Sequence, residues 1–193
     1  MNDKQTIAEC ATLLKLHYVK VNLENTICQA QIEKPTYISF LAQVLKDEVK
    51  GRQERDRQRR LSLAHLPSQH DLDAFDFNYS SGISKQEMKE LRTLNWVDQA
   101  YKIILMGPSG TGKTFSAGGL IYEAVKQGKK AYMMTMEELI TTIKMKSISP
   151  TAMGNYNRIA KADLVAIDDI MLFPINKEDA AGFFNLINTM HDL

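Results

Sequence analysis

The eight residues Gly107-Pro108-Ser109-Gly110-Thr111-Gly112-Lys113-Thr114 constrain this chain more than any other feature. They fit G-x-x-x-x-G-K-[ST], the glycine-rich loop that holds nucleotide phosphates. Such a loop works where a strand feeds it and a helix leaves it. Both flanks read that way. Lys102-Ile103-Ile104-Leu105-Met106 is an apolar run expected as a short buried strand, and Phe115 to Lys126 is expected as a helix stopped at Gly128. Gly107, Gly110 and Gly112 allow backbone angles that residues with a Cβ resist. The N–H groups of Gly110, Gly112, Lys113 and Thr114 would then form an anion nest at a helix N-terminus. Lys113 would reach the β- and γ-phosphates, and the Thr114 hydroxyl would sit on Mg²⁺. All eight residues, Pro108, Ser109 and Thr111 included, are assigned to nucleotide binding. The competing reading is a glycine-rich turn carrying an exposed lysine.

Apolar runs and helical spacings alternate after the loop. Ala131-Tyr132-Met133-Met134 reads as a strand, and Thr135-Met136-Glu137-Glu138 as a capping box opening a helix to about Lys144. Ser149-Pro150 interrupts, a short helix near residues 155–160 follows, and Leu164-Val165-Ala166-Ile167 forms a second apolar strand. A last helix spans roughly residues 178–190. This alternation predicts an α/β fold with a parallel sheet covered by helices.

The second strand ends in Asp168-Asp169. With a phosphate loop upstream, Asp168 stands where a carboxylate would hold Mg²⁺ through water. Asp169 stands where a second carboxylate could orient or deprotonate the attacking water. The candidate catalytic residues are therefore Lys113 and Asp169, and the candidate Mg²⁺ ligands Thr114 and Asp168. Alone, the pair could equally be a strand end turning to solvent. Asn176-Lys177-Glu178-Asp179 fits N-K-x-D, which reads guanine, but it follows the second strand in a loop instead of closing a strand of its own. Glu178 and Asp179 are better explained as first-turn acids favoured by the helix dipole. ATP is expected over GTP.

Before the loop the pattern is helical. Ile7, Ala11, Leu14 and Tyr18 share one face of a helix expected over residues 5–20. Thr36 can cap a second helix whose apolar face is Phe40, Leu41, Val44, Leu45 and Val49. It runs into an arginine-rich stretch in which Arg52, Arg55 and Arg59 share one side. That side is either a solvated face with local acidic partners or a set of contacts to a DNA backbone. Residues 1–65 hold 11 Lys and Arg against 8 Asp and Glu, while the chain as a whole is +1. Residues 67–83, with Pro67, three aspartates and Ser80-Ser81-Gly82, read as a linker in which Phe75 and Phe77 anchor to the core or lie near a purine base. Ser84-Lys85-Gln86-Glu87 opens a further helix with Met88, Leu91 and Leu94 inward.

Several function classes are disfavoured. No apolar run approaches the roughly 20 residues of a membrane span, and the polar Met1-Asn2-Asp3 start lacks a signal-peptide core. Cys10 and Cys28 lack metal-ligand spacing and are expected as reduced thiols of a cytoplasmic protein, with a disulfide as the lesser option. The four histidines are scattered and suit surface or core roles.

Leu66-Pro67, Leu72, Phe75 and Phe77, the loop at 107–114 and the run Leu164 to Pro174 followed by Phe183-Phe184-Asn185-Leu186-Ile187-Asn188 resemble the IstB helper ATPases of bacterial insertion sequences. These are relatives of the helicase loaders DnaC and DnaI in the AAA+ group. The resemblance covers nearly the whole chain and implies an AAA+ P-loop NTPase domain at 102–193, a linker and helix at 67–101, and a small helical N-terminal domain at 1–66. It implies ATP and Mg²⁺ as cofactors, assembly into homo-oligomers on DNA, and an IstA-like transposase as partner. The arginine run then leans toward DNA. A loader-type reading would instead make the N-terminal domain a grip on a replicative helicase. The family's next strand, with a polar sensor, and its arginine finger and lid cannot be drawn from the residues after Met190. The expectation is a C-terminally truncated product, a helper or a non-functional remnant, with an incomplete sheet and no hydrolysis of its own.

Overall fold

The computed structural model describes residues 3–77 and 82–191. The Met1-Asn2 start, Ser80-Ser81 of the linker and the Asp192-Leu193 end lie outside them. The chain divides into two compact units, residues 1–59 and 60–193.

The first unit is helical: α1 (Asp3–Leu13), α2 (His17–Glu33) and the greater part of α3 (Tyr37–Leu63). The single helix expected over 5–20 is two. Lys15 takes the left-handed conformation (φ 56°), and Leu16 N–H returns to the Ala11 carbonyl at 2.7 Å, which ends α1. No side chain of its own caps α2. Glu48 of α3 does so from across the fold, accepting from Val19 N–H at 3.1 Å, while Arg52 donates to the Lys15 carbonyl. Acid at a helix N-terminus and base at a helix C-terminus match the macrodipoles. Glu48 is buried and also bridges Arg55 at 3.2 Å. Burial pushes its carboxyl up, but the Val19 N–H, Arg55 and the Tyr18 N–H together bring it below its ordinary value of 4.5.

Two expectations about α3 change. Thr36 caps it as expected, its Oγ1 accepting from Ser39 N–H. Of the apolar face, Phe40 and Val44 are half-buried, but Leu41, Leu45 and Val49 are exposed, because α2 covers only one side of the helix. The arginine side is not uniform either. Arg52 and Arg55 are engaged within the unit, and Arg57 forms a two-point pair with Glu54 that holds its carboxyl down to about 2.

The second unit is built on β1 (Ala131–Thr135) and β2 (Leu164–Asp168), which pair in parallel from Ala131 opposite Leu164 to Thr135 opposite Asp168. Asp163 locks that register, its carboxylate accepting from Lys130 N–H at 2.6 Å. Alternation along the strands sorts the side chains. Ala131, Met133, Leu164 and Ala166 face a core with α6 (Lys113–Lys126), α4 (Lys85–Arg92) and Leu94, at the start of α5 (Asn95–Asp98). Met134, Val165 and Ile167 face α7 (Met136–Met145), α8 (Pro150–Ala160) and α9 (Lys177–His191). Both expected capping boxes form, Ser84 with Glu87 and Thr135 with Glu138. On the outer edge of β1, Met133 N–H donates to the Ala64 carbonyl at 2.8 Å.

The strand expected at Lys102–Met106 does not form. Residues 101–108 have no regular structure, and Ile104 and Met106 are 79% and 86% exposed. An apolar run becomes a strand only where a neighbour offers a backbone ladder. Among the described residues none pairs with this one. By contrast, the polar tract from Pro67 to Phe77 is docked, not loose. It lies along α6, where Gly118 and Gly119 lack the Cβ atoms that would strike Pro67 and Leu72. Within it, His70 Nδ1 meets the Pro67 carbonyl at 2.7 Å and its ring packs on Tyr122. Cys10 and Cys28 are exposed free thiols. Among the described residues no helix is long and apolar enough to cross a membrane.

Two outcomes follow from this packing. Gly119→Ala pushes Leu72 out of its site and lowers the melting temperature, whereas Gly154→Ala, which meets open space at an exposed position of α8, raises stability by up to about 1 kcal/mol. Differential scanning calorimetry separates the two. Because the Glu48 carboxyl lies below 4.5 in the folded unit, its stabilisation is complete above that value and is lost as pH falls through the lower folded one. Acid titration of the helical signal is expected to show this step, and Glu48→Gln to remove it.

Candidate functional site

The loop at 107–114 connects the irregular segment 101–106 to α6, whose N-cap is Gly112. Gly110 and Gly112 both take left-handed angles (φ 80° and 82°), which bend the chain sharply enough to start a helix out of a loop. Ser116 N–H closes the first helical hydrogen bond on the Gly112 carbonyl at 2.8 Å. The N–H groups of Gly110, Gly112, Lys113 and Thr114 donate to no protein acceptor among the described residues. These are the orphan donors of a helix start and its approach, a concentration of positive partial charge.

The loop's side chains staple it to itself. Lys113 Nζ donates to the carbonyls of Gly107 and Pro108 at 2.9 and 2.6 Å, and Thr111 Oγ1 donates to the Pro108 carbonyl at 2.9 Å. Lys113 is therefore at the loop's rim, held by neutral acceptors that a phosphate oxygen would outcompete.

Thr114 and Asp168 meet although 54 residues separate them: Thr114 Oγ1 donates to Asp168 Oδ2 at 2.7 Å. A hydroxyl and a carboxylate side by side are hard oxygen donors of the kind Mg²⁺ takes, with water and phosphate completing its shell. The residues present fit the ion. Asp168 Oδ1 also accepts from Asp169 N–H at 2.9 Å. Asp169 has a left-handed backbone (φ 56°), is exposed, and among the described residues its carboxylate has no partner. The structure thus joins Thr114 to Asp168 and sets Asp169 beside them in the chain, without bonding it to the loop.

Asn176 and Asp179 have structural work of another kind. Asn176 Oδ1 caps α9 by accepting from Asp179 N–H at 2.8 Å, and the buried Asp179 carboxylate takes Lys144 of α7 at 2.9 Å. Nothing of N-K-x-D is presented as a base-reading edge.

Sequence reasoning did not place the aromatic residues against the loop. Phe75 packs on Phe77 and Phe115 with ring centroids 4.9 and 5.7 Å apart, and a Cβ on Gly112 would approach its ring to 2.9 Å. Arg92 of α4 joins Asp73 to Glu123 of α6. The available signal was Gly118-Gly119 inside a helix, a costly pair that marks a close approach.

Comparison with known proteins gives the family. Residues 9–192 match the family model described as IstB-like ATP binding protein. An insertion sequence IS21-like ATP-binding protein of Bacteroides fragilis is 46% identical over 192 residues, covering 100% of this chain and 73% of that one. A second, from strain YCH46, is 46% identical over 96% of this chain and 93% of its own length. An IS21 ATP-binding protein of Pseudomonas aeruginosa is 31% identical over 93% of this chain and 68% of its own.

Gly112→Ala combines a left-handed backbone with the contact to Phe75. It is expected to weaken phosphate binding more than about tenfold, since the backbone alone costs roughly 1–2 kcal/mol. Isothermal titration with Mg-ATP, with Gly154→Ala as the control substitution, reads the difference.

Proposed function

The chain belongs to the IstB-like ATP-binding family of insertion sequences, and on that premise we propose that it binds Mg-ATP at residues 107–114 and assists a transposase on DNA. One observation carries the nucleotide part. The Thr114–Asp168 hydrogen bond sets two hard oxygen ligands at the start of α6, beside four N–H groups without acceptors among the described residues. Anion donors and cation ligands adjoin, as Mg-nucleotide requires.

The roles follow from position. The free N–H groups of the loop take phosphate oxygens, and Lys113 exchanges its carbonyl partners for the β- and γ-phosphates. Thr114 and Asp168 hold Mg²⁺, which when bound neutralises phosphate charge. Asp169, its carboxylate exposed and without a partner among the described residues, orients or deprotonates the attacking water in hydrolysis. ATP is preferred to GTP, because Asn176 and Asp179 are committed to a helix cap and an ion pair.

The wider role rests on the family. The related proteins are named for insertion sequences, which supports a role in transposition. In this reading residues 1–66 contact DNA and support self-assembly, residues 67–101 lead into the ATPase domain, and the protein works in the cytoplasm with an IstA-like transposase. Arg52 and Arg55 are engaged in the helical unit, so Lys50 and Arg59, exposed and without ion pairs among the described residues, are the better DNA contacts.

Lys113→Ala is expected to abolish measurable Mg-ATP binding; equal affinity of the two proteins would sink the reading. Thr114→Val and Asp168→Asn are expected to lose the gain in affinity that Mg²⁺ gives over EDTA while keeping metal-free binding. For DNA, Lys50→Ala and Arg59→Ala should each lower duplex affinity and reduce the salt slope by about 1, seen by fluorescence anisotropy across a salt series.

A further inference from the structure

We propose that residues 67–77 form a strap that holds the phosphate loop in its binding shape, with the Asp73–Arg92 ion pair as its latch and Phe75 as its contact with the loop. The proposal rests on the nucleotide reading above for its consequence, but not for its geometry.

The strap is fixed to α6 at both ends. Near its start, Pro67 lies over Gly118, where a Cβ would come within 2.5 Å of its ring, and Leu72 is buried against Gly119. Asp71 then caps a single 3-10 turn, Leu72–Ala74, by accepting from Asp73 N–H at 3.0 Å. That turn directs Asp73 to Arg92. The Arg92 guanidinium bonds Asp73 with one nitrogen and Glu123 of α6 with another, at 2.8 Å, so it ties strap, α4 and α6 at one point. Gln127 adds a bond from α6 to the Arg92 carbonyl. The Arg92 guanidinium beside Asp73 also holds its carboxyl below the usual carboxylate range.

Two residues beyond this latch comes Phe75. Its ring rests on Gly112, the left-handed N-cap that aims the first turn of α6, and on Phe115 within that turn. Gly112 has no side-chain cap of its own. A glycine is the most mobile residue available at such a position, and a ring packed against it removes that freedom before any ligand arrives. A cavity of about 340 Å³ remains open between the strap and Gly110–Gly112, with Phe75 in its lining. The ring therefore braces the loop without filling the space beside it. Asp73 and Arg92 are positioning residues, acting through Phe75.

Hydrogen–deuterium exchange of the nucleotide-free full chain tests the strap directly. Asp73→Asn is expected to speed exchange of the first bonded amide after the loop, Ser116 N–H on the Gly112 carbonyl, by about two- to fivefold, the worth of an exposed ion pair, Phe75→Leu to speed it at least as much, and both to leave 131–135 unchanged. Asp73→Glu is expected to restore the protected pattern. Unchanged exchange at Ser116 in both variants overturns the proposal, whether or not nucleotide binds. In binding, both substitutions should weaken Mg-ATP and Mg-tripolyphosphate alike, and the double variant should be no weaker than Phe75→Leu alone. Loss confined to Mg-ATP would mean that Phe75 touches the base instead of bracing the loop. Multiplying effects would mean that latch and ring act separately. Either result overturns it, as does a lowered melting temperature with unchanged affinity. Failure of the nucleotide reading is a different signature: wild type and Lys113→Ala binding Mg-ATP equally.

Discussion

The parallel register of β1 and β2 is the constraint from which the site follows. Asp163 sets it at one end by taking Lys130 N–H, and the pairing then carries Thr135 alongside Asp168 at the other. With α6 packed across the same two strands, its first turn brings Thr114 to the end of β2. A one-residue slip would turn Asp168 to the opposite face, and the Thr114–Asp168 bond would be lost. The bond is thus a consequence of sheet geometry, not of any local preference of either residue.

Close approach through missing side chains supports this arrangement. The strap at 67–77 lies on α6 only because residues 118 and 119 are glycines, and Phe75 reaches the loop only because 112 is. Each glycine weakens helix or loop by itself. The return is contact: Leu72 is buried, three aromatic rings cluster at the helix start, and one arginine joins three elements. The N-terminal helices use charge for a similar end. Glu48 and Arg52, four residues apart on α3, serve the opposite helix ends that meet at the α1–α2 turn.

Where the chain was legible, the signal was local. Ser84–Glu87 and Thr135–Glu138 form their capping boxes because both partners lie within one turn, so spacing alone specifies them. The apolar runs at 131–135 and 164–168 became strands because each found the other. Lys102–Met106 is also a mostly apolar run and is not a strand, since no ladder meets it among the described residues. The helix expected over 5–20 breaks at Lys15, where the pattern of Ile7, Ala11, Leu14 and Tyr18 runs on unbroken. What caps the second half, Glu48, lies 29 residues from Val19, beyond any local window. The arginine side was legible only in part: Glu48 takes Arg55 and the Lys15 carbonyl takes Arg52, while Arg59 stays exposed.

By itself, the sequence determined that a glycine-rich loop opens a helix, that an apolar strand ends in two aspartates, and which residues cap which helices. These depend on backbone freedom and on contacts within a turn, and a string of residues records both. Only the tertiary structure decided that Thr114 meets Asp168, that Asn176 and Asp179 serve a cap and an ion pair, and that Phe75 rests on Gly112. Those are contacts between segments far apart in the chain. They exist because sheet register and helix packing bring the segments together, and no local preference encodes them.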